Sequence, residues 1–211
     1  MTGVAPKRRL LVATGSAHKL AELRALLNLS RTELLSLADA GLADDAPEEG
    51  TTFAENAVFK ARWYARRAGL PTLADDSGLE VDFLGGAPGV RTRRFAGVHA
   101  TDEQNNAHLL ALLDGQPSTE RRARYRCVLA LAEQPADGHA EVMTTTGVFE
   151  GRIAASPRGS NGFGYDPIFE PSGEPVGGHT VGQMDPLTKN RISHRAQAAR
   201  QMRELLIARG Y

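Results

Sequence analysis

The stretch LADDSGLEVDFLGGAPG, residues 73–89, places two adjacent carboxylates, Asp75 and Asp76, at the end of a short apolar run. Adjacent like charges contribute nothing to an apolar core. We predict a strand over residues 72–74 and a turn at the aspartates, so that both carboxylates lie at the carboxyl end of the strand, where open α/β sheets bind ligands. Two interpretations remain open. The stretch forms a Mg²⁺ site, with Glu48 as a third oxygen ligand, or a polar turn in which Asp75 accepts backbone hydrogen bonds.

The flanking sequence alternates between strand and helix patterns. Leu10–Ala13 is a short apolar run typical of a buried strand, and an amphipathic helical pattern follows it. A second helix is predicted to start at Thr52, which stands at capping-box spacing from Glu55. Thr101 starts a third helix in the same way. This order of elements indicates a mixed sheet flanked by helices.

The second half of the chain adds a hairpin and a last helix. Residues 123–133 and 140–149 are predicted to be strands of an antiparallel hairpin, with the turn PADG at 135–138. The last helix is predicted over residues 193–210, with Ser193 as its cap. No linker divides the chain. We therefore predict one α/β domain over residues 1–211, in two lobes with a cleft between them.

Composition excludes several classes of protein. Lys and Arg together number 25, as do Asp and Glu, so the formal charge is zero and the basic excess of a duplex-binding protein is missing. We expect no nucleic-acid partner, and we interpret the basic run RRARYR at 121–126 as solvated surface. No apolar run approaches the roughly 20 residues that span a bilayer, and the first ten residues lack the apolar region of a secretory signal. We expect a cytoplasmic protein with no membrane partner, in which the single cysteine, Cys127, packs as a small hydrophobe.

A glycine turn, TGSAHK, joins the first strand to the first helix. The exposed N–H groups of such a turn, next to the positive end of the helix dipole, can bind an anion, and Lys19 adds a positive charge. The alternative is an ordinary turn in which Ser16 caps the helix.

Two further motifs lie in the last third of the chain. The loop GSNGFGYDP, at residues 159–167, carries Phe163, on which a base can stack, and Tyr165, which we expect to pack beneath the loop. The stretch KNRISHR then brings together the donors Lys189, His194 and Arg195. These donors either recognise a flat base or form a solvated basic helix end.

Taken together, these motifs resemble the Ham1/RdgB family of inosine and xanthosine triphosphate pyrophosphatases. Five stretches carry the resemblance in order: ATGSAHKLAEL, EEGTTFAENAVFKAR, LADDSGLEVDFLGGAPGV, GFGYDPIF and ISHRAQA. The resemblance implies a mixed α/β fold with two lobes and a homodimer. It also implies a Mg²⁺-dependent reaction that converts a noncanonical purine nucleoside triphosphate (ITP, dITP or XTP) into its monophosphate and pyrophosphate.

The resemblance also implies a role for individual residues. Thr14, Gly15, Ser16, Ala17, His18 and Lys19 would lie at the triphosphate, together with Lys60 and Asp75. Glu48 and Asp76 would bind the metal, Asp76 would also be the general base, and Ser77 would contact the substrate. The base pocket would comprise Phe163, Gly164, Tyr165, Asp166, Lys189, His194 and Arg195.

Two positions depart from the family pattern, and other functions stay open. The family usually has Asn where this chain has Ser16, and often an aromatic residue where it has Arg91. A pyrophosphatase acting on modified pyrimidines or on GTP is the nearest alternative, and a nucleotide sensor that does not hydrolyse is another. A phosphatase of the HAD type would need Asp-x-Asp after the first strand, where this chain has VATGS.

Overall fold

The computed structural model describes residues 7–133 and 141–211. The strands are β1 (Arg8–Ala13), β2 (Thr32–Leu35), β3 (Thr72–Val81), β4 (Arg122–Glu133), β5 (Glu141–Ile153) and β6 (Phe169–Pro171). The helices are α1 (Ala17–Leu27), α2 (Phe53–Ala68), α3 (Asp102–Leu112), α4 (Pro186–Ile192) and α5 (His194–Ala208).

The six strands form one sheet in the order β2-β1-β3-β4-β5-β6. Strand β1 pairs in parallel with both β2 and β3, whereas β5 and β6 are antiparallel. The predicted mixed α/β fold, with helices flanking the sheet, is confirmed. No helix among residues 7–133 and 141–211 has the length and apolar character needed to cross a membrane.

The chain divides into two compact units. The first unit comprises the described residues of Met1–Asp76, Val128–Thr146 and Ala198–Tyr211. The second comprises Ser77–Cys127 and Gly147–Gln197. The cleft between two lobes and the assignment of residues 1–211 to a single domain stay predictions.

Small side chains let α2 pack closely in the first unit. Ala57, Ala61 and Ala65 are fully buried, and the helix contacts β1. Its predicted capping box is confirmed, because the Glu55 amide donates to Thr52 Oγ1 and the Glu55 carboxylate accepts from the Thr52 amide. This cap fixes the start of α2, the helix that carries Lys60.

Aromatic rings form the centre of the core of the second unit. The ring centroid of Phe169 lies 4.7 Å from that of Tyr125 and 5.4 Å from that of Phe149. Leu79 of β3 and Leu109 of α3 pack into the same cluster. Four strands and a helix therefore share one apolar core in this unit.

The predicted turn at the aspartates is wrong. Strand β3 continues through Asp75 and Asp76 to Val81, and both aspartates are buried within it. Asp and Gly are depleted in strands, so the local sequence favoured a turn. Lysine side chains that meet these carboxylates, described below, override that local preference.

The other elements agree with the sequence except at their ends. The Ile153 amide donates to the Arg121 carbonyl at 2.8 Å, which joins the end of β5 to the start of β4 as a hairpin requires. The turn PADG at 135–138 lies outside the described residues.

Ser193 caps α5 as predicted, since its Oγ accepts from the Ala196 amide. Helix α4 was missed, although Asp185 followed by Pro at the first helical position is a start signal.

The basic run at 121–126 is not simply solvated surface. Arg121 is only 8% exposed, and its guanidinium donates to the carbonyls of Leu113, Ile153 and Ala154. Tyr125 is also buried. The interpretation failed because alternate residues of β4 point into the protein, which a count of charges does not reveal.

A buried carboxylate, Glu170, joins three segments of the second unit. Its side chain is 3% exposed and accepts from Arg152 Nε at 2.7 Å and from Arg158 Nη2 at 2.5 Å. The Gly177 amide donates to the same carboxylate. Burial raises the pKa of Glu170, but the bonds from the two arginines outweigh it and leave the pKa below its usual value.

We predict that Glu170→Gln lowers the free energy of unfolding by about 3–5 kcal/mol, because two arginines lose a buried charge partner. Since the folded-state pKa is lowered, the stabilisation is present above the unfolded-state pKa and is lost as pH falls through the folded-state pKa. The variant should therefore lose less stability than the wild type on acidification. Urea unfolding at several pH values measures both effects.

Glu150→Gln is the matched control, because Glu150 also pairs with an arginine, Arg124, but its own side chain is 59% exposed. We expect a change below about 1 kcal/mol for this exposed pair. Equal losses in the two variants would contradict the role assigned to Glu170.

Candidate functional site

The two aspartates of β3 each meet a lysine from a different helix. Lys19 Nζ of α1 lies 2.5 Å from Asp75 Oδ1, and the Asp75 side chain is fully buried. Lys60 Nζ of α2 lies 2.8 Å from Asp76 Oδ1. Successive side chains of a strand point to opposite faces, so the neighbouring carboxylates are separated and individually neutralised.

Lys60 also binds the acidic loop before α2. Its Nζ lies 3.0 Å from Glu48 Oε1, on a carboxylate that is 35% exposed. Asp76 Oδ2 is buried and has no hydrogen-bond partner among the described residues. The lysine therefore holds two carboxylates together and leaves one buried acceptor atom available.

Burial and charge act in opposite directions on this pair. Burial raises the pKa of Asp76 above its ordinary value, although the Lys60 ammonium partly offsets the rise. Burial lowers the pKa of Lys60, but the carboxylates of Asp76 and Glu48 outweigh it and raise the pKa overall. Lys60 stays charged at neutral pH, and Asp76 is a stronger base than an exposed aspartate.

The expectation that Glu48 joins the two aspartates as a third metal ligand stays a prediction, and the structure gives each of these acids a lysine partner. Asp75 is bound to Lys19, whereas Glu48 and Asp76 share Lys60. In the part of the chain that the structure describes, no group of three or more His, Cys, Asp or Glu side chains could hold a metal ion. The described protein groups thus offer a cation at most two carboxylates here.

The glycine turn before α1 has the predicted strand–turn–helix form. Ser16 is the N-cap of α1, and its Oγ accepts from the Lys19 amide at 3.4 Å. The Ser16 amide in turn donates to Thr14 Oγ1 at 3.2 Å. Ala17 and His18 begin the helix and are exposed. The capping interpretation is confirmed, while contact of residues 14–19 with a triphosphate stays a prediction.

A tyrosine on α2 fixes the loop that carries Glu48. The Tyr64 hydroxyl donates to the Asp44 carbonyl at 3.0 Å and accepts from the Ala46 amide at 3.2 Å. Tyr64 is 3% exposed and lies one helical turn after Lys60. One face of α2 therefore positions both Lys60 and the backbone just before Glu48.

Asp166 is the polar centre of the glycine-rich loop in the second unit. Its Oδ2 accepts from Lys189 Nζ at 2.8 Å and from the Phe163 amide at 3.0 Å, and its Oδ1 accepts from the Tyr125 hydroxyl at 3.2 Å. Burial, and then the charge of Asp166, raise the pKa of Tyr125 well above its usual value, so this hydroxyl remains a donor. Gly162 has φ +78°, and a Cβ there would lie 2.0 Å from Asp166 Oδ2.

The basic residues of the final motif are buried, so the solvated-helix-end interpretation is wrong. Lys189, His194 and Arg195 are 6%, 5% and 1% exposed. Arg195 Nη2 donates to Ser77 Oγ at 2.8 Å. The His194 ring stacks on the ring of Tyr125 at 4.7 Å with an 8° interplanar angle. Packing on β4 and bonding to β3 place these groups inside the second unit.

Phe163 lies beside the buried cations, whereas Tyr165 packs beneath the loop. Lys189 Nζ is 4.5 Å and Arg195 Cζ 5.7 Å from the centroid of the Phe163 ring. Tyr165 is 3% exposed and donates to the Thr92 carbonyl at 2.8 Å, which confirms its predicted packing role. Burial also raises the pKa of Tyr165, so this hydroxyl stays protonated.

Each unit thus presents its own chemistry. The first unit offers the half-buried ammonium of Lys19, the buried ammonium of Lys60 and the Oδ2 acceptor of Asp76, a set that suits a polyanion and a water molecule. The second offers a half-buried aromatic ring beside a buried ammonium and a buried guanidinium, a set that suits a flat heterocycle with carbonyl acceptors. The sequence analysis did not foresee Tyr125, because it lies within the basic run. The alternation of residues along β4 was the available signal.

Comparison with known proteins finds relatives that match most of this chain. The model of the Ham1 family matches residues 10–205. A dITP/XTP pyrophosphatase of Geobacillus kaustophilus is 46% identical over 197 residues, which cover 93% of each chain. A dITP/XTP pyrophosphatase of Xanthomonas campestris is 45% identical over 191 residues, 90% of this chain and 93% of the relative.

A solved structure extends the agreement to the fold. The structure of a HAM1 protein from Coxiella burnetii superposes with a TM-score of 0.83 and 39% identity. It covers 95% of this chain, and this chain covers 99% of it. The resemblance drawn from five sequence motifs is confirmed, and the chain belongs to the Ham1 family.

Proposed function

We propose that this protein hydrolyses noncanonical purine nucleoside triphosphates (ITP, dITP and XTP) to the monophosphate and pyrophosphate. The observation that carries the proposal is the run Asp75-Asp76-Ser77 in one buried strand, whose side chains meet Lys19, Lys60 and Arg195 respectively. The relatives named dITP/XTP pyrophosphatase support the same substrate class. Removal of such nucleotides from the cellular pool is the role this activity would serve.

The first unit would bind the phosphate chain. Lys19 and Lys60 supply two ammonium groups, and the start of α1 adds backbone N–H groups and the positive end of the helix dipole. Both lysines are held by buried carboxylates, so their charges are fixed in place before a nucleotide arrives. Such fixed charges stabilise the negative charge that develops on a leaving pyrophosphate.

The carboxylates of this unit fit a Mg²⁺ ion. Asp76 Oδ2 is buried without a hydrogen-bond partner among the described residues, and Glu48 lies on the same lysine with its carboxylate partly exposed. Magnesium typically takes one or two protein carboxylates and completes its shell with water and substrate phosphates. When bound, the ion would neutralise charge on the phosphates. We therefore propose Glu48 and Asp76 as its ligands.

Asp76 would also act as the general base. Its Oδ2 has no hydrogen-bond partner among the described residues, and burial raises the pKa of the carboxyl group, which makes it a stronger base than an exposed aspartate. We propose that the Asp76 carboxylate orients a water molecule and takes its proton as the water attacks the α-phosphorus. The bond to the β-phosphate then breaks, and Lys19 and Lys60 cover the charge of the departing pyrophosphate.

The second unit would recognise the base. The purine would stack on Phe163, and Lys189, His194 and Arg195 would provide donors for its carbonyl oxygens. Hypoxanthine and xanthine carry a 6-keto acceptor, whereas adenine carries a 6-amino donor that leaves a buried donor unpaired. Each unpaired group costs roughly 1–3 kcal/mol. The resemblance further leads us to propose a cytoplasmic homodimer.

We predict that Asp76→Asn folds and binds IMP as tightly as the wild type, while release of pyrophosphate from ITP falls by about 10²–10⁴-fold. The amide keeps the size of the side chain but is too weak a base to accept the proton. A pyrophosphate-release assay and calorimetric titration with IMP measure the two effects. A variant of near-normal activity would refute the role of Asp76.

We predict that kcat/KM for ATP is roughly 5- to 150-fold lower than for ITP and XTP, the factor expected from one unpaired buried donor. The assay should include GTP, which shares the 6-keto group, and one modified pyrimidine triphosphate. Equal rates on all five would indicate a general nucleotide pyrophosphatase. Binding without pyrophosphate release would indicate a nucleotide sensor.

We predict that Tyr64→Phe raises the Mg²⁺ concentration needed for half-maximal activity several-fold and speeds amide hydrogen exchange at Ala46. The substitution removes one oxygen atom and frees the loop before Glu48, while the ring still fills its site. Arg67→Ala is the control on the same helix, because Arg67 is exposed and stacks on Trp63 within α2. Unchanged exchange and unchanged Mg²⁺ dependence in Tyr64→Phe would show that Tyr64 does not position Glu48.

A further inference from the structure

Helix α3 holds both polar atoms of one residue in the glycine-rich loop. The Gly164 amide donates to Asp102 Oδ2 at 2.6 Å, and the Gly164 carbonyl accepts from Asn106 Nδ2 at 3.1 Å. Asp102 and Asn106 are four residues apart and therefore lie on one face of α3. We call Asp102 and Asn106 the Gly164 clamp.

The clamp acts next to the ring proposed to stack on the base. Gly164 has φ +64°, a left-handed conformation that favours glycine, and it follows Phe163 directly. On the other side, the Phe163 amide is bound by Asp166 Oδ2. The backbone of Phe163 is thus fixed both by its own amide and through the residue after it.

Asn106 is a buried polar residue with one unsatisfied atom. It is 6% exposed, and its Oδ1 is buried with no hydrogen-bond partner among residues 7–133 and 141–211. A buried acceptor without a donor costs roughly 1–3 kcal/mol. An apolar side chain would avoid that cost but would not hold Gly164, so the bond to the loop explains why an amide stands here.

We propose that Asp102 and Asn106 are positioning residues for base recognition, an inference that rests on the proposed function. They act through Gly164, by fixing Phe163 beside Lys189 and Arg195. A displacement of about 1 Å in such an arrangement is enough to change a rate up to about 10²-fold. Loss of the clamp should therefore weaken binding of the base and leave binding of the phosphates unchanged.

The two reaction products separate these effects, since IMP carries the base and pyrophosphate carries none. We expect Asn106→Leu and Asp102→Ala each to weaken IMP binding at least about fivefold, the factor that corresponds to about 1 kcal/mol. Pyrophosphate affinity in the presence of Mg²⁺ should stay at the wild-type value. The ratio of kcat/KM for ITP over ATP should fall with the IMP affinity. Calorimetric titration and steady-state kinetics measure these quantities.

Two further variants separate positioning from general damage to α3. Asp102→Asn keeps an acceptor for the Gly164 amide and should retain more IMP affinity than Asp102→Ala. Gln104→Ala breaks the capping box of α3, in which Gln104 Oε1 accepts from the Thr101 amide. The Gln104→Ala variant should have a lower melting temperature. Its affinity for IMP and its ratio of kcat/KM for ITP over ATP should be unchanged.

Each outcome supports or overturns the inference. If Asn106→Leu and Asp102→Ala bind IMP as tightly as the wild type does, the clamp does not position the base. The same conclusion follows if their affinities for IMP and for pyrophosphate fall by the same factor. A loss of IMP affinity in Gln104→Ala equal to that in the clamp variants also overturns it. Wild-type protein that neither binds IMP nor hydrolyses ITP overturns the proposed function, and the inference with it.

Discussion

The structure depends on the neutralisation of two carboxylates buried side by side in one strand. Asp75 and Asp76 would repel each other, and each would lose its hydration inside the protein. Lys19 and Lys60 approach from separate helices and give each carboxylate its own cation. The start of α1 and the face of α2 are therefore tied to β3 by charge as well as by apolar packing. The same ion pairs fix two ammonium groups where a polyanion could meet them.

In the second unit, a hydrogen-bond network stabilises another buried carboxylate. Asp166 meets Lys189, the Tyr125 hydroxyl and the Phe163 amide, so one buried carboxylate organises a loop, a strand and a helix. Glu170 does the same for Arg152 and Arg158. Such networks are rigid because several donors fix each carboxylate at once, and removal of a charged member leaves a buried charge uncompensated. That rigidity is the property required for a surface that distinguishes one heterocycle from another.

Local signals predicted the elements better than they predicted the burial of polar residues. Capping boxes at Thr52 and Thr101 marked the starts of α2 and α3, because the cap is an interaction within four residues. The continuation of β3 through the two aspartates could not be predicted from local sequence signals. It depends on Lys19, which lies 56 residues before Asp75, and on Lys60, 16 residues before Asp76. The burial of Arg195 likewise depends on Ser77, which lies 118 residues away. Residue types and the five ordered motifs were enough to predict the family. The partners of the buried charged residues could be identified only from the folded structure.

The alternation of side chains along β3 constrains how this site can evolve. Successive side chains of a strand face opposite ways, so the pairing of Asp75 with Lys19, Asp76 with Lys60 and Ser77 with Arg195 holds only in one register of β3. A single-residue insertion or deletion between Thr72 and Asp75 would exchange the two faces and turn each group away from its partner. Point substitutions would disturb one pairing at a time, whereas an in-frame indel would disturb all of them at once. We therefore expect this segment to keep a constant length among functional descendants of the gene, even where its residues vary.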